Sequence, residues 1–175
     1  MFSIWNLPGF CGIHLTNYLQ KFGIRTRIIN NFDSEWDILC ETYRNSPTPP
    51  LVGLSTTFHL AYSEIKRVAK KLREFTPDME IVLGGAFVNA EASNRGPQAF
   101  EKPMRKYKID YILHAFNSEN NLRDLIAFRK GQLDLARVKN LAYIDNSDFE
   151  SGHLAARLWH QRRVLSSQHC PGWHW

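Results

Sequence analysis

Cysteines, long apolar runs and an export signal are scarce or missing in this sequence. Its three cysteines, Cys11, Cys40 and Cys170, are odd in number and widely spaced, so they do not form a disulfide framework. No apolar run approaches the length of about 18 residues that a membrane span requires. The first residues, MFSIWNLPGF, lack the basic start and the small-residue cleavage site of a signal peptide. We therefore expect a cytoplasmic protein in a reducing compartment, without a membrane partner.

Acidic residues are missing from the C-terminal segment 151–175. This segment has three arginines and no Asp or Glu, so it contributes +3 of the net charge of +5. The remainder of the chain is nearly balanced, and its basic cluster at 66–73 has no interleaved aromatic residues to stack on bases. We interpret that cluster as a solvated helix face and expect no nucleic-acid partner.

Short apolar runs alternate with helical patterns along the chain, which has the length of one domain. Strands are predicted at residues 2–7, 25–30, 51–55, 80–83 and 109–114, with a peripheral strand at 140–146. Helices are predicted at residues 12–22, 34–44, 61–75 and 120–130. Residues 86–106 are predicted to be irregular, with one or two short helices and a break at Gly96-Pro97.

This alternation predicts an α/β fold with a sheet covered on both faces. We expect a doubly wound, five-stranded parallel sheet of order 2-1-3-4-5, Rossmann-like or flavodoxin-like, in three layers. The domain is predicted to cover residues 1–146, and residues 147–175 are predicted to be a linker remnant or a disordered tail. Ligands of such sheets bind beyond the carboxyl ends of the strands, near the switch point.

Small residues follow two of the predicted strands at this edge. The segment LVGLSTTFHL (51–60) ends its apolar run in Ser55, Thr56 and Thr57, and EIVLGGAFV (80–88) does so in Gly84 and Gly85. They are either simple turn residues or positions that leave room for a ligand to approach the backbone.

Common nucleotide sites of this fold are not matched. The loop LPGFCG has Gly9 and Gly12, which fit only the end of the dinucleotide pattern G-x-G-x-x-G. It has no Ser or Thr for a flavodoxin-type phosphate loop, and neither the clustered acids of a receiver domain nor a P-loop is present.

Two longer segments resemble a known family. VGLSTTFHLAYSEIKRVAKKLREFTPDMEIVLGGAFV and IDYILHAFNSENNLRDL are similar to the N-terminal cobalamin-binding domain of B12-dependent radical SAM enzymes, with its GxSxTF, P…IVLGG and DYxxxGxGExxLxxL patterns. The resemblance covers roughly residues 1–145 and implies cobalamin as the cofactor. It implies that Ser55 and Thr56, with Thr57 beside them, hydrogen-bond the nucleotide tail, which lies against Gly84 and Gly85. On this basis a Gly85→Leu variant is predicted to lose binding and keep its fold.

The chain departs from the family pattern in two loops. Where better-known cobalamin domains have D-x-H-x-x-G, this chain has Leu7 and Gly9 before Gly12, so a base-off cobalamin without a protein histidine ligand is expected. In the last loop both glycines of GxGE are replaced, and Glu119 is the matching acid. Gly12 would let the first helix start close to the sheet. His14 and His59 lie near this edge and are expected to be partly exposed polar residues.

Radical SAM chemistry needs three cysteines spaced C-x-x-x-C-x-x-C to hold an iron–sulfur cluster. Cys11, Cys40 and Cys170 do not have this spacing, so we expect neither an Fe–S cluster nor a SAM site, and no activity of the chain alone. A radical SAM catalytic domain or protein is the implied partner. The tail SSQHCPGWHW is similar to the start of such a motif, with His174 at the second Cys position. A zinc site is the alternative for the tail, built from His153, His160, His169, Cys170 and His174.

Three functions remain open at this stage. The chain is a cobalamin-binding module, a degenerate domain that has lost its ligand and serves in interactions, or a domain that binds another nucleotide. No nucleophile–base pair or paired carboxylates indicate independent catalysis.

Overall fold

The computed structural model of the chain describes residues 10–57 and 62–145, and the backbone of 148–151. The six helices of this part are α1 (Phe10–Gln20), α2 (Trp36–Arg44), α3 (Tyr62–Phe75), α4 (Ala86–Arg95), α5 (Glu101–Tyr107) and α6 (Glu119–Arg129). Its five strands are β1 (Leu51–Ser55), β2 (Glu80–Gly84), β3 (Tyr111–Leu113), β4 (Leu141–Asp145) and β5 (Asp148–Ser151). Short 3₁₀ turns occupy Pro97–Phe100 and Leu135–Arg137.

The described strands form one sheet in the order β1-β2-β3-β4-β5. The pairs β1–β2 and β2–β3 are parallel, whereas β3–β4 and β4–β5 are antiparallel. In this register Ser55 lies opposite Gly84, and Gly84 lies opposite Leu113, so the carboxyl ends of the three parallel strands meet at one edge. The α/β class is confirmed, and the sheet is mixed instead of fully parallel.

The predicted order 2-1-3-4-5 is not confirmed. Its first strand, at residues 2–7, lies outside the described residues. Residues 25–30 are described and are not a strand. Their side-chain and backbone groups have other contacts: Ile28 lies against α1, and the amides of Asn30 and Asn31 donate to the carboxylate of Glu35 at 3.1 and 3.2 Å. The strand prediction for this segment was wrong. It relied on the β-branched residues alone, whereas the end of the segment is held by hydrogen bonds to Glu35 at the start of α2.

The region predicted to be irregular, 86–106, is mostly helical. α4 and α5 are separated by the 3₁₀ turn, and the predicted break lies at Gly96, whose φ is +76°. Val88, Phe100 and Met104 are buried in the core. These three residues belong to three separate short elements and therefore form no single helical stripe, but each anchors its own element in the core.

The core lies between the sheet and its helices. Ile65, Val68, Ala69 and Leu72 of α3 are buried, as its helical period predicts. In β2, the whole run Ile81–Leu83 is buried, which requires cover on both faces of the sheet. None of the helices in the described part is long and apolar enough to cross a membrane. Strand β5 begins beyond the predicted domain end at 146, so the sheet extends past that boundary.

Candidate ligand-binding site

Thr56 connects the ends of β1 and β2. Its amide donates to the carbonyl of Gly84 at 2.7 Å, and its hydroxyl donates to the same carbonyl at 3.0 Å. The hydroxyl also accepts a hydrogen bond from the amide of Val88 in α4, at 3.3 Å. The residue is 1% exposed. Thr56 thus joins two strands and a helix, and its hydroxyl is occupied within the protein.

Gly85 allows the chain to turn from β2 into α4. Its φ is +115° and its ψ is −172°, a conformation essentially reserved for glycine. A Cβ at this position would lie 2.9 Å from the amide nitrogen of Thr56 and 3.0 Å from that of Thr57. The space beside Gly85 is therefore filled by the end of β1, which contradicts the prediction that a Gly85→Leu variant keeps its fold.

Gly84 presents a different environment. A Cβ built on it would meet only the carbonyl oxygen of Leu113 at 3.8 Å and Oγ of Ser118 at 3.9 Å, which are ordinary contacts. A methyl group fits there, and neither contact is a clash. At Gly84 the edge of the sheet therefore has room for a small side chain between a carbonyl and a hydroxyl.

Ser118 borders this space and was missed by the sequence analysis. It is the N-cap residue of α6, and its side chain makes no capping hydrogen bond. Because the hydroxyl does not accept a hydrogen bond from an amide of α6, it is available beside Gly84. The sequence signal was a serine directly before Glu119 at a helix start, a pattern typical of N-caps.

Ser55 and Thr57 bring two further hydroxyls to the same edge. The Ser55 hydroxyl donates to Oγ1 of Thr57 at 3.2 Å. Ser55 is exposed and Thr57 is half-buried, in contrast to Thr56 between them. Of the three predicted hydroxyl residues, these two face outward and one is enclosed.

Glu119 lies where α6 passes α1. Its carboxylate is 3.6 Å from Nε2 of His14, and further along the helices the hydroxyl of Tyr18 donates to the side-chain carbonyl of Asn120. Gly12 lies on α1, where a Cβ would be 3.4 Å from the side chain of Ile28. Gly12 therefore brings α1 close to the 24–29 segment, while Glu119 belongs to the contact between α1 and α6.

Two phenylalanines stand in solvent at this end of the molecule. Phe10, one turn before His14 on α1, is 83% exposed, and Phe116, just before α6, is 85% exposed. Because His14 contacts Glu119, both rings lie at the adjoining N-terminal ends of α1 and α6. Both rings are therefore accessible to another molecule at this end of the two helices.

Several predicted site residues lie outside the described part of the chain. These are Gly9, Leu7 and His59, together with the tail residues considered for zinc: His153, His160, His169, Cys170 and His174. Within residues 10–57 and 62–145, no group of three or more His, Cys, Asp or Glu residues is arranged to hold a metal ion. Cys11 is exposed and Cys40 is buried, both as free thiols.

Solved structures with this arrangement of elements are known. The radical S-adenosylmethionine methyltransferase TsrM from Kitasatospora setae matches in a structure with tryptophan substrate and a SAM analogue, with a TM-score of 0.56 and 18% identity over 89% of this chain. TsrM with cobalamin and a 4Fe–4S cluster bound matches with a TM-score of 0.57 and 19% identity over 81%. The apo form of OxsB, a cobalamin-dependent S-adenosylmethionine radical enzyme, matches with a TM-score of 0.56 and 20% identity over 79%.

The likeness is one of fold. The chain spans 28%, 25% and 18% of the lengths of these three chains, respectively. No protein-family model matches the sequence, and no curated protein does. The shared fold agrees with the resemblance found in the sequence. That resemblance involves residues at the carboxyl ends of β1, β2 and β3.

Proposed function

We propose that this chain is a cobalamin-binding module whose cofactor lies over the carboxyl ends of β1, β2 and β3. The observation that carries the proposal is that the ends of the three parallel strands meet at Gly84, where there is room for a small group beside the Ser118 hydroxyl and the carbonyl of Leu113. A neighbour of the same fold, TsrM, has been solved with cobalamin bound. The sequence resemblance points to the same edge.

The residues at the edge have different tasks in this proposal. Ser55, Thr57 and Ser118 offer hydroxyls to the nucleotide tail, and Gly84 lets the tail lie against backbone. Thr56 and Gly85 hold the strand ends together and do not contact the ligand. Phe116 and Phe10 offer apolar surface to the edge of the corrin.

The predicted roles at the first helix are kept. Gly9 stands at the histidine position of the D-x-H-x-x-G pattern, so cobalamin bound here is base-off without a protein histidine below the cobalt. Gly12 and Glu119 belong to the rim of the site. The chain supplies no Fe–S cluster in this proposal, and a radical SAM catalytic domain or protein is its partner.

Reconstitution with hydroxocobalamin tests the proposal. The purified chain is incubated with the cofactor, separated from free cofactor by gel filtration and examined by absorbance. We expect cobalamin to co-elute with the protein, and a Co(II) EPR spectrum without nitrogen superhyperfine splitting. Elution without cobalamin would overturn the module, and nitrogen splitting would overturn the base-off assignment.

Substitutions at Gly84 locate the site. Gly84→Leu fills the space beside Ser118 and is expected to weaken cobalamin binding by about tenfold or more, or about 1.4 kcal/mol. Gly84→Ala is the matched control, because its methyl group meets only ordinary contacts at 3.8 and 3.9 Å. Circular dichroism checks that both variants fold. Ser118→Ala provides a second variant if leucine disturbs the sheet. If Gly84→Leu, Gly84→Ala and Ser118→Ala all bind cobalamin with the affinity of the natural chain, the cofactor lies elsewhere.

A ligand-free interaction domain is the second candidate. It is favoured by the two exposed rings of Phe10 and Phe116, which a protein partner could cover as well as a corrin. A chain that does not bind cobalamin but changes its oligomeric state or binding behaviour in a Phe116→Ser variant would support this function.

A further inference from the structure

His114 is the first residue beyond β3, directly before the loop 115–118 that carries Phe116 and Ser118. Its amide donates to the carbonyl of Asn140 at 3.0 Å. Its ring lies 6.0 Å from the ring of Phe100, tilted by 34°. Nε2 of the ring is buried and has no hydrogen-bond partner among the described residues. An unpaired buried nitrogen is costly, so it demands an explanation.

The surroundings of His114 hold the loop in place from two sides. The side chain of Asn121, which is buried in α6, donates to the carbonyl of Lys139. The next residue, Asn140, has a φ of +53° and accepts the hydrogen bond from the His114 amide. The turn before β4 is thus joined to both ends of the loop, and the His114 ring packs at one of these junctions.

The imidazole is kept neutral by its surroundings. Burial lowers the pKa of His114, and only a hydrogen bond with its own backbone acts in the opposite direction. Among the residues whose side chains the structure describes, the charged sequence neighbours of its contact residues are Glu101, beside Phe100, and Lys139, beside Asn140. Glu101 is paired with Arg105 at 3.0 Å, Lys139 is exposed, and neither is a cause of the shift in the His114 pKa. His114 is half-buried, so a protonated ring would place its charge at the buried Nε2 without a partner among the described residues.

We propose that His114 is a positioning residue that holds the 115–118 loop at the ligand edge only while its ring is neutral. On acidification the protonated ring leaves its place beside Phe100, and residues 115–118 lose the packing that this ring provides at the end of β3. The part of this inference that concerns cobalamin rests on the proposed function, because Ser118 and Phe116 lie on that loop. The predicted response of the loop to pH does not depend on the proposed function.

The sign of the effect follows from linkage. In the unfolded chain a histidine takes up its proton near its ordinary pKa of about 6.5, whereas partial burial lowers the pKa of the His114 ring in the folded chain. The unfolded or opened state therefore binds more protons below about pH 6.5, and the order of the loop declines as the pH falls from there toward the lowered pKa. Above about pH 6.5 the contribution is fully present.

Hydrogen exchange of the chain without cofactor tests the positioning role. Protection of the amides of residues 114–118 is measured at about pH 7.5 and about pH 5.5, after correction for intrinsic exchange rates. We expect protection in the natural chain to fall at the lower pH more than in β2. In His114→Phe, which keeps a ring beside Phe100 and removes the titrating group, this selective loss should vanish. His14→Gln, at the exposed histidine, should retain it.

Two results would overturn the inference. One is the same selective loss in His114→Phe as in the natural chain. The other is an NMR titration in which the His114 ring of the natural chain has an ordinary pKa, a measurement that does not depend on any variant folding. If cobalamin binds, its affinity should fall between about pH 6.5 and pH 5.5 in the natural chain and not in His114→Phe. If it does not bind at any pH, the proposed function fails while the exchange result still decides the role of His114.

Discussion

Three neighbouring residues of one predicted binding segment differ in what they do. Ser55 and Thr57 are accessible at the edge, whereas Thr56 is buried and bonded to Gly84 and Val88. In the sequence all three look alike, because hydroxyl residues after a strand carry no mark of which one points inward. The alternation of side chains along an extended chain makes the middle one face the opposite way.

A Thr56→Val variant separates these tasks at the residue scale. Valine keeps the shape and leaves the Val88 amide without its acceptor, so we expect the free energy of unfolding to fall by about 1–3 kcal/mol. Thr57→Val is the matched control, since among the described residues its hydroxyl bonds only to that of Ser55, and it should cost less than about 1 kcal/mol. Urea unfolding without ligand measures both. Equal losses would show that the Thr56 hydroxyl has no special part in joining β1, β2 and α4.

Gly85 is the second residue for which geometry changes the expectation. Gly85→Ala should destabilise the chain by about 2 kcal/mol or more, because alanine rarely adopts this backbone conformation and its Cβ would press on the amides of Thr56 and Thr57. The earlier expectation for Gly85→Leu, loss of binding with an intact fold, is replaced by loss of stability.

Gly53 provides the control for Gly85. It lies in β1, has no positive φ, and a Cβ there would meet only Val82, at 3.9 Å. Gly53→Ala should leave stability unchanged or raise it by up to about 1 kcal/mol. Denaturation midpoints of the two variants are compared with that of the natural chain. A Gly85→Ala variant as stable as Gly53→Ala would contradict the strained turn.

At the scale of elements, the sequence correctly predicted helices and strands that have a clear local apolar pattern. It did not predict features that depend on pairing with a strand far away in the chain. The period of Ile65, Val68 and Leu72 predicted α3, and apolar runs bounded by turns predicted β1 and β2. The directions of β4 and β5 depend on which edge accepts them, and no local pattern contains that information. Nor does any local pattern show that residues 25–30 lack a neighbouring strand among the described residues and end in a hydrogen bond to Glu35.

Arg73 fixes the opposite, amino end of the sheet. Its guanidinium donates to the carbonyls of Pro77 and Lys108 at 2.6 and 2.7 Å, and to the carboxylate of Asp110 at 2.6 Å. That carboxylate also accepts from the amide of Ile81 at 2.7 Å. One side chain of α3 thus links the turn before β2 to the start of β3.

Arg73→Met should therefore cost about 1–3 kcal/mol of unfolding free energy, because several acceptors lose a donor at a half-buried position. Arg105→Met removes an exposed helical pair with Glu101 and is expected to cost less than about 0.5 kcal/mol. Chemical denaturation distinguishes the two. If both variants lose the same small amount, the amino end of the sheet does not depend on Arg73.

At the scale of the whole molecule, the sequence predicted which strand ends meet, but not which side chains of the last loop lie beside them. The meeting of strand ends 55, 84 and 113 follows from a parallel sheet, and that part is confirmed by the register. The position of Ser118 beside Gly84 and the partial burial of His114 depend on how the last loop folds back, which needs three-dimensional contacts. The match to the larger enzymes TsrM and OxsB concerns a portion of each, so the function of any surrounding protein stays within the proposal.

The extent of the folded unit is the last prediction. Residues 152–175 lie outside the described part, lack a sustained apolar period and contain no acidic residue. The core of the described part is assembled from residues up to 144. We expect removal of 152–175 to lower the melting temperature by only a few degrees, equivalent to about 1 kcal/mol or less.

Removal of 148–175 should lower the melting temperature more, because it also removes β5, which pairs with β4 from Ala142 to Asp145. Differential scanning calorimetry compares the two truncations with the full chain. A large drop for the shorter deletion would show that the tail belongs to the folded unit, whereas equal small drops would show that β5 adds little to it.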